Sequence, residues 1–424
     1  MRQEKTNIFF GIDWLIVILY AALVGFGWIN IYAASYTNED ISIINMSTKY
    51  GKQLLWILLS IPLIIFTLFF SSKFIEKYSS LFYLFSVLTL VGLFFFGKEI
   101  NGAKSWYDFG VMSLQPSEFV KIFTALALAK LLSDRKYNLD LIKNQIKAFI
   151  VIFTPAILIG IYDPGTAIIF LSFFFVLNRE GLTLKYIFFG VISISLFLLT
   201  ILFGVLNLVI ATYTFITLLV IYIAYKNRRF LRFNILKVFA MYVLCGLFIV
   251  SVDFSYKNVL KQHHRDRFEI LLGQKKDIKK IGYNTNQSLQ TISSGRLYGK
   301  GFLKGDKTKG KFVPEQHTDY IFSVVGEEWG FIGSSLVIII YMSLLFRILY
   351  LSETHTNKFG RIYGYGIASI LFFHLIVNVG MVIGLLPTIG IPLPFFSYGG
   401  SSLWAFTLLL FVFIKLDANK SYDL

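Results

Sequence analysis

Ionisable residues interrupt this sequence in a few short groups, and the first of them spans residues 101–121, NGAKSWYDFGVMSLQPSEFVK. Pro116 is suited to begin a helix, which places Ser117 and Glu118 in the first turn, where a hydroxyl or carboxylate can meet free backbone N–H groups. Glu118 and Lys121 are three residues apart and can form an ion pair that makes burial of both tolerable. The pattern fits either a helix start or part of a functional site.

Two further polar positions precede this helix, and a second short motif, DPGT, begins at Asp163. Lys104 supplies a cation, while Trp106 is either a ligand contact or an aromatic residue at a membrane surface. Pro164 and Gly165 indicate a tight turn after Asp163. We expect the Asp163 carboxylate either to cap this turn or to bind a cation or a neighbouring lysine.

Asp277 is the candidate general base. It is surrounded by basic residues and is followed by Gly282 and Tyr283; the flanking cations are Lys275, Lys276, Lys279 and Lys280. Four nearby cations favour the ionised form of the carboxylate at neutral pH. An ionised carboxylate beside a cluster that attracts phosphate suits the removal of a proton from a hydroxyl group. The alternative is a solvated turn, the commoner structure for such a charge pattern.

The segment 312–330, FVPEQHTDYIFSVVGEEWG, carries five ionisable residues: Glu315, His317, Asp319, Glu327 and Glu328. Neighbouring positions of a helix point about 100° apart, so Glu327 and Glu328 are not expected to face the same partner. At least one of the two should face a wet cavity or a cation.

Metal and redox chemistry have little support in the sequence. No second histidine stands at ligand spacing from His317, and His263 and His264 are adjacent and therefore poor co-ligands. Cys245 is the only cysteine, which excludes an internal disulfide or a thiolate metal site. We predict no transition-metal site. A magnesium ion held between carboxylates and substrate phosphates remains an open alternative, because it needs few protein ligands.

The elements that must position these residues are membrane helices. The chain has 424 residues, of which 56% are hydrophobic and 15% charged, more apolar side chain than one soluble core of this length could bury. Its apolar windows match the thickness of a bilayer and show no β-barrel alternation. They predict about twelve spans, at residues 13–34, 53–70, 79–96, 117–132, 147–162, 165–178, 185–203, 206–225, 236–252, 320–347, 362–386 and 400–414.

The net charge of +16 reflects topology and anionic partners rather than nucleic acid, for which no recognition motif is present. With the N-terminus inside and the first apolar stretch read as a span, most basic clusters between spans fall in the cytoplasm. The outer face then receives residues 98–117, 254–319 and 387–400. We predict one membrane domain over 1–424, with 254–319 as a large extracellular loop.

Residues 387–402, PTIGIPLPFFSYGGSS, contain three prolines together with Gly390, Gly399 and Gly400 near membrane depth. Such a segment cannot be a regular helix, and irregular backbone is tolerated in a membrane only where protein or a cavity covers it. Transporters use broken helices of this kind as well.

Taken in order, five motifs resemble those of the SEDS family of bacterial shape, elongation, division and sporulation proteins, nearly from end to end. They are GAKSWYDFG with QPSEFVK, DPGT, GYNTNQS with SSGRLYGKG, VPEQHTDYIFSVVGEEWGFIG and PLPFFSYGGSS. The resemblance implies an all-α polytopic bundle with a core of ten spans, to which this chain adds a hydrophobic pair between about residues 185 and 253. It also implies the bacterial cytoplasmic membrane, with the active face outside.

In function, the resemblance implies a peptidoglycan glycosyltransferase that polymerises lipid II, together with a class B penicillin-binding transpeptidase and the elongation machinery. The family's catalytic aspartate corresponds to Asp277. The chain departs from the family at Ile278, where proline is frequent, and at Ser105, where arginine is frequent. The substrate-binding residues implied by the motifs and by the charges discussed above are Lys52, Lys104, Trp106, Gln115, Ser117, Glu118, Lys121, Asp163, Gln287, Ser288, Glu315, His317, Asp319, Glu327, Glu328 and Ser397.

The implied reaction is one inverting displacement, in which a sugar hydroxyl of one lipid-linked unit attacks the anomeric carbon of another and expels a polyprenyl diphosphate. Asp277 would accept the hydroxyl proton, while Lys104, Lys121, Lys52 or a magnesium ion would stabilise the leaving diphosphate. A flippase for the same lipid-linked precursor is the alternative, since many spans and broken helices also fit alternating access. A third interpretation is a scaffold that only recruits the transpeptidase, for which Asp277 would be dispensable.

Overall fold

The computed structural model describes residues 11–36, 43–100, 103–110, 113–226, 230–259, 262–274 and 282–419. Most of these residues are helical. The helices are α1 (Trp14–Ser35), α2 (Lys49–Phe69), α3 (Ser72–Phe96), α4 (Pro116–Ser133), α5 (Ile142–Gly160), α6 (Pro164–Ile168), α7 (Phe173–Arg179), α8 (Lys185–Phe203), α9 (Val205–Lys226), α10 (Phe230–Phe254), α11 (Gln262–Leu271), α12 (Tyr283–Gly295), α13 (Asp306–Lys309), α14 (Ile321–Glu328), α15 (Gly330–Glu353), α16 (Lys358–Val382) and α17 (Gly400–Ala418).

Within the described ranges, ten helices are long and apolar enough to cross a membrane, which confirms the polytopic helical fold. The other two predicted windows are also helical but differ in kind. The window 117–132 lies in α4, whose interior includes the charged side chains of Glu118 and Lys121. The window 165–178 is divided into α6, which begins at the proline of the DPGT motif, a 3-10 turn and α7.

The prediction of one continuous span over 320–347 is wrong. The chain forms α14 and α15 with a break at Gly330. The φ of Gly330 is +67°, a backbone conformation that residues with a side chain rarely adopt. A Cβ atom added at Gly330 would lie 2.3 Å from the backbone nitrogen of Gly299. The break is therefore set by a close approach of the preceding loop, which an apolar window does not reveal.

Two predicted outer segments contain more regular structure than expected. A small antiparallel sheet in the order β1-β2-β3 is formed by the strands β1 (Lys98–Ile100), β2 (Ala103–Asp108) and β3 (Ser113–Leu114), so the all-α prediction is incomplete there. An ion pair between Lys98 and Asp108 connects the outer strand to the central one. The described part of the 254–319 loop carries a π-helical turn (Ser255–Val259), α11, α12 and α13.

The chain divides into two compact units, one comprising residues up to Leu182 and from Asn284 onward, the other Thr183–Tyr283. In the first, α16 and α17 are mostly buried, and α4 and α15 pack against α16 while α2 packs against α17. In the second, α8, α9 and α10 pack together and leave most of their apolar side chains exposed, as suits contact with lipid. The single functional domain over 1–424 stays a prediction.

Candidate active site

The beginning of α4 buries the predicted charge pair. Pro116 opens the helix, and the Nζ atom of Lys121 lies 3.0 Å from Oε1 of Glu118, which confirms the pairing three residues apart. Both residues are buried, with 3% of Glu118 and 1% of Lys121 exposed. The predicted contacts with free backbone N–H groups are not formed: Ser117 Oγ and Glu118 Oε2 lack a hydrogen-bond partner within the described ranges. The Glu118 carboxylate forms an ion pair with Lys121 instead.

Lys121 has a second polar partner, which sequence reasoning missed. Its Nζ atom lies 3.0 Å from Nε2 of His374 on α16, and Nδ1 of the same imidazole lies 3.2 Å from the carbonyl oxygen of Pro392. The aromatic ring of Phe406 lies beside both groups, 5.0 Å from the ammonium and 4.9 Å from the imidazole centroid. The only sequence signal was an isolated histidine in an apolar run.

Asp163 caps the DPGT turn, as one of the two predicted interpretations held. Its carboxylate accepts hydrogen bonds from the backbone nitrogen of Thr166 at 3.1 Å and from the Thr166 hydroxyl at 2.6 Å. The Nε2 atom of Gln115, the residue before α4, lies 3.5 Å from the same carboxylate. The DPGT turn is thus connected to the start of the helix that carries Glu118 and Lys121.

Residues 387–399, hereafter the broken segment, are irregular, as predicted. Positive φ angles occur at Gly390 (+82°) and Phe395 (+63°). The hydroxyl of Ser397 donates to the carbonyl of Thr318 at 2.7 Å. The amide nitrogen of Tyr398 donates to the carbonyl of His317 at 2.9 Å. These bonds satisfy backbone groups that a regular helix would have paired internally.

The segment 315–319 therefore lies against the broken segment, and α16 secures both. The Nδ2 group of Asn378 donates to the carbonyl oxygens of Asp319 at 2.8 Å and of Ile391 at 2.7 Å. Asn378 is one helical turn beyond His374, so the two residues present adjacent polar groups to the same irregular backbone. Glu315 is exposed and has a positive φ of 55°, and Asp319 is half-buried.

His317 has an unexpected cationic neighbour in Lys49, the first residue of α2. The Nζ atom of Lys49 lies 2.8 Å from Nε2 of His317, and the Glu315 carboxylate lies 3.6 Å from the same nitrogen. Burial and the charge of Lys49 lower the pKa of His317 to about 4, against a smaller opposing effect of Glu315. The imidazole is therefore neutral at physiological pH, so Lys49 supplies the positive charge at this position.

Glu327 and Glu328 face different surroundings, as the helical geometry predicted. Glu327 accepts hydrogen bonds from Lys300 Nζ at 2.8 Å and from Ser294 Oγ at 3.2 Å. It also accepts from three donors in the first turn of α13, which are the backbone amide of Lys307 and the backbone amide and side-chain hydroxyl of Thr308. Burial raises its pKa, but these hydrogen bonds outweigh that effect and lower it below the usual value. Glu327 thus has the expected cation, and its oxygens are fully engaged by protein groups.

The remaining predicted residues are dispersed over loops and helices. Lys104 donates to the carbonyl of Phe94 at 3.0 Å, and Ser288 donates to the carbonyl of Val382 at 2.8 Å. Trp106 and Gln287 are half-buried, while Lys52 is exposed. Asp277 lies outside the described residues. Among the residues that the structure describes, no group of three His, Cys, Asp or Glu side chains could hold a metal ion.

Two polar groups of the first unit thus meet at the broken segment. One is the α4 group of Gln115, Glu118 and Lys121, which reaches Pro392 through His374. The other is the segment 315–319, which is hydrogen-bonded to residues 397 and 398 and is contacted by Lys49. Together they place the ammonium group of Lys49 at the surface of the fold and the Glu118–Lys121 ion pair in its interior, beside irregular backbone.

Nearly the whole chain is similar to known proteins. A family model described as cell cycle protein, for the FtsW, RodA and SpoVE proteins, matches residues 13–422. The chain is 31% identical to the peptidoglycan glycosyltransferase RodA of Treponema pallidum over 430 residues, covering 96% of this chain and 98% of that protein. It is 30% identical to the peptidoglycan glycosyltransferase MrdB of Escherichia coli over 391 residues, covering 92% and 87%.

Solved structures also match nearly the whole chain. A chain from a peptidoglycan synthase complex, studied for its coordination of polymerization and crosslinking, superimposes with a TM-score of 0.70 at 25% identity, covering 96% of this chain and 98% of that chain. The rod shape determining protein RodA of Thermus thermophilus has a TM-score of 0.62 at 23% identity, over 96% of this chain and 97% of that one. The second likeness concerns the fold alone.

Proposed function

This chain belongs to the FtsW/RodA/SpoVE family of cell cycle proteins, and we infer from that membership that it is a peptidoglycan glycosyltransferase. The observation that carries the inference is the match over nearly the whole chain, with 30–31% identity to RodA and MrdB proteins that are named for this activity. The family resemblance of the motifs is thereby confirmed. The protein is a multi-pass membrane protein, and its similarity to rod-shape proteins supports a role in cell elongation and shape.

We propose lipid II as the substrate and a single inverting displacement as the reaction. Asp277 is assigned as the general base that accepts the proton of the attacking sugar hydroxyl, because an ionised carboxylate among lysines fits that task. The departing polyprenyl diphosphate needs a cation, for which Lys52 and Lys104 are the predicted candidates and Lys49 is added by the structure. Lys121, with 1% of its surface exposed, acts from within the fold.

The proposed location is the bacterial cytoplasmic membrane, with the site facing outward, where lipid-linked precursors meet the growing wall. The distribution of basic residues supports this orientation. We propose a class B penicillin-binding transpeptidase as the partner that cross-links the product. The similarity to a chain of a complex that coordinates polymerization and crosslinking supports that assignment.

The experiment is glycan polymerisation from purified lipid II by the full-length protein, with and without the transpeptidase, for native chain, Asp277→Asn and Asp306→Asn. Asp306 is a matched control because it is another aspartate of the same outer loop, with 85% of its side chain exposed. We expect loss of polymer only with Asp277→Asn. Equal activity of all three would remove Asp277 as the base. No polymer from the native chain, even with the transpeptidase, would favour the flippase.

A further inference from the structure

The ammonium of Lys121 is bound on two sides inside the membrane-spanning unit. Glu118 Oε1 and His374 Nε2 are each 3.0 Å from Lys121 Nζ, and the three residues are almost completely buried. Additional hydrogen bonds help to offset the cost of burying a charge pair, and His374 supplies one of them to Lys121. The histidine is therefore part of the arrangement that keeps this charge inside the protein.

The two contacts of His374 define its chemical state. An ammonium group can only donate a hydrogen bond, so Nε2 of His374 accepts from Lys121. A carbonyl oxygen can only accept, so Nδ1 carries the proton and donates to Pro392 at 3.2 Å. His374 is thus a neutral imidazole with one nitrogen used as an acceptor and the other as a donor.

These two bonds connect elements that are far apart in the sequence. On one side lies α4, whose outer end carries Gln115 and Glu118. On the other side lies the broken segment, which is hydrogen-bonded through Ser397 to the outer segment 315–319. His374 is a polar link between the two groups of the candidate site.

We infer that His374 is a positioning residue for glycosyl transfer, which it affects through Lys121 and Pro392 without touching the substrate. This inference rests on the proposed function. Small errors in the placement of reacting groups lower rates strongly, by about 10²-fold for a displacement of about 1 Å. Loss of the polar link should therefore lower kcat while the KM for lipid II stays near its native value.

The test compares His374→Gln with His374→Phe in the full-length protein with its transpeptidase. Glutamine offers one acceptor and one donor and can rebuild both bonds, whereas phenylalanine fills a similar volume and rebuilds neither. We expect near-native kcat for the glutamine variant and a fall of about 10- to 100-fold for the phenylalanine variant. Ser369→Ala in the same helix, which removes only a hydroxyl bonded to the Tyr365 carbonyl, is the control with native rate.

A double substitution separates positioning from general damage. If His374 acts through Lys121, then His374→Phe added to Lys121→Met should cause little further loss, because the link is already broken. Melting temperatures of all variants are measured in parallel. Native kcat in His374→Phe, or losses in both His374 variants that follow their melting temperatures, would overturn the inference. An inactive native protein with its partner would instead refute the proposed function.

Discussion

Glu327 and Glu328 are consecutive and both buried, yet their carboxylates are stabilised to very different extents. Glu327 accepts hydrogen bonds from Lys300, Ser294 and the first turn of α13. Neither oxygen of Glu328 has a partner with hydrogen-bond geometry in the described part of the chain, although the backbone amides of Leu303 and Gly305 partly favour its charge. Burial raises the pKa of Glu328 to about 7.

Glu328 should make the protein less stable as pH rises. Its pKa is near 4.5 when unfolded and about 7 when folded, so between these values the folded state holds a proton that the unfolded state has released. Stability therefore falls as pH rises through this window and levels off above it. Glu328→Gln mimics the protonated acid, so its melting temperature should match that of the native protein near pH 4.5 and exceed it at pH 8.

The control for this prediction is Glu99→Gln, which removes an exposed carboxylate. Its melting temperature should differ from the native value by the same small amount at both pH values, because an exposed carboxylate has similar surroundings in the folded and unfolded states. A pH-independent effect of Glu328→Gln would show that the pKa of this carboxylate is the same in the folded and unfolded states.

Glu327 should hold the loop before α14 in place. Glu327→Gln removes the charge that pairs with Lys300 and presents an amide to backbone donors at Lys307 and Thr308. Leaving a buried donor unsatisfied costs about 1–3 kcal/mol, so we expect a lower melting temperature and faster hydrogen exchange at those two amides. Asp306→Asn, which removes the exposed partner of Lys300, should change stability by only about 0–1 kcal/mol. Equal exchange rates in both variants would contradict a capping role for Glu327.

The apolar windows were sufficient to predict the helical fold, and the three-residue spacing was sufficient to predict the Glu118–Lys121 pair, because both depend on residues close in the chain. The contacts of Lys49 with His317 and of Lys121 with His374 join residues 268 and 253 positions apart. No local pattern marks them, since a histidine has the same sequence signature with or without a partner that is distant in the chain. The break at Gly330 was missed for the same reason, because it depends on the approach of Gly299.

His317 should remain neutral well below its usual titration range. Its pKa is lowered to about 4 by burial first and by Lys49 second. Between pH 4 and 6.5 the unfolded histidine binds a proton that the folded one does not, so stability is lost as pH falls through this window. The histidine titration can be followed by NMR in the detergent-solubilised protein. Lys49→Met should move the midpoint part of the way back toward 6.5, because burial remains.

Lys52→Met is the matched control, since Lys52 is three residues farther along the same helix and exposed. It should leave the His317 midpoint where it is in the native protein, because the ammonium that contacts the imidazole is that of Lys49, at 2.8 Å, and solvent screens an exposed charge that is not in contact. A native midpoint near 6.5 would contradict the buried, lysine-paired environment. An unchanged midpoint in Lys49→Met would mean that burial alone lowers the pKa of His317.

Gly295 should tolerate no side chain, because α12 approaches α14 too closely there. A Cβ atom at Gly295 would lie 2.0 Å from the carbonyl oxygen of Gly326 and 2.7 Å from that of Glu327, and both are backbone atoms that cannot rotate away. Gly295→Ala must therefore separate the two helices and disturb Glu327, and we expect a large fall in melting temperature. Gly25→Ala in α1, where nothing lies within 4 Å of the added atom, should be neutral or stabilise by about 1 kcal/mol. Similar melting temperatures for the two variants would mean that α12 does not pack against α14 at this distance.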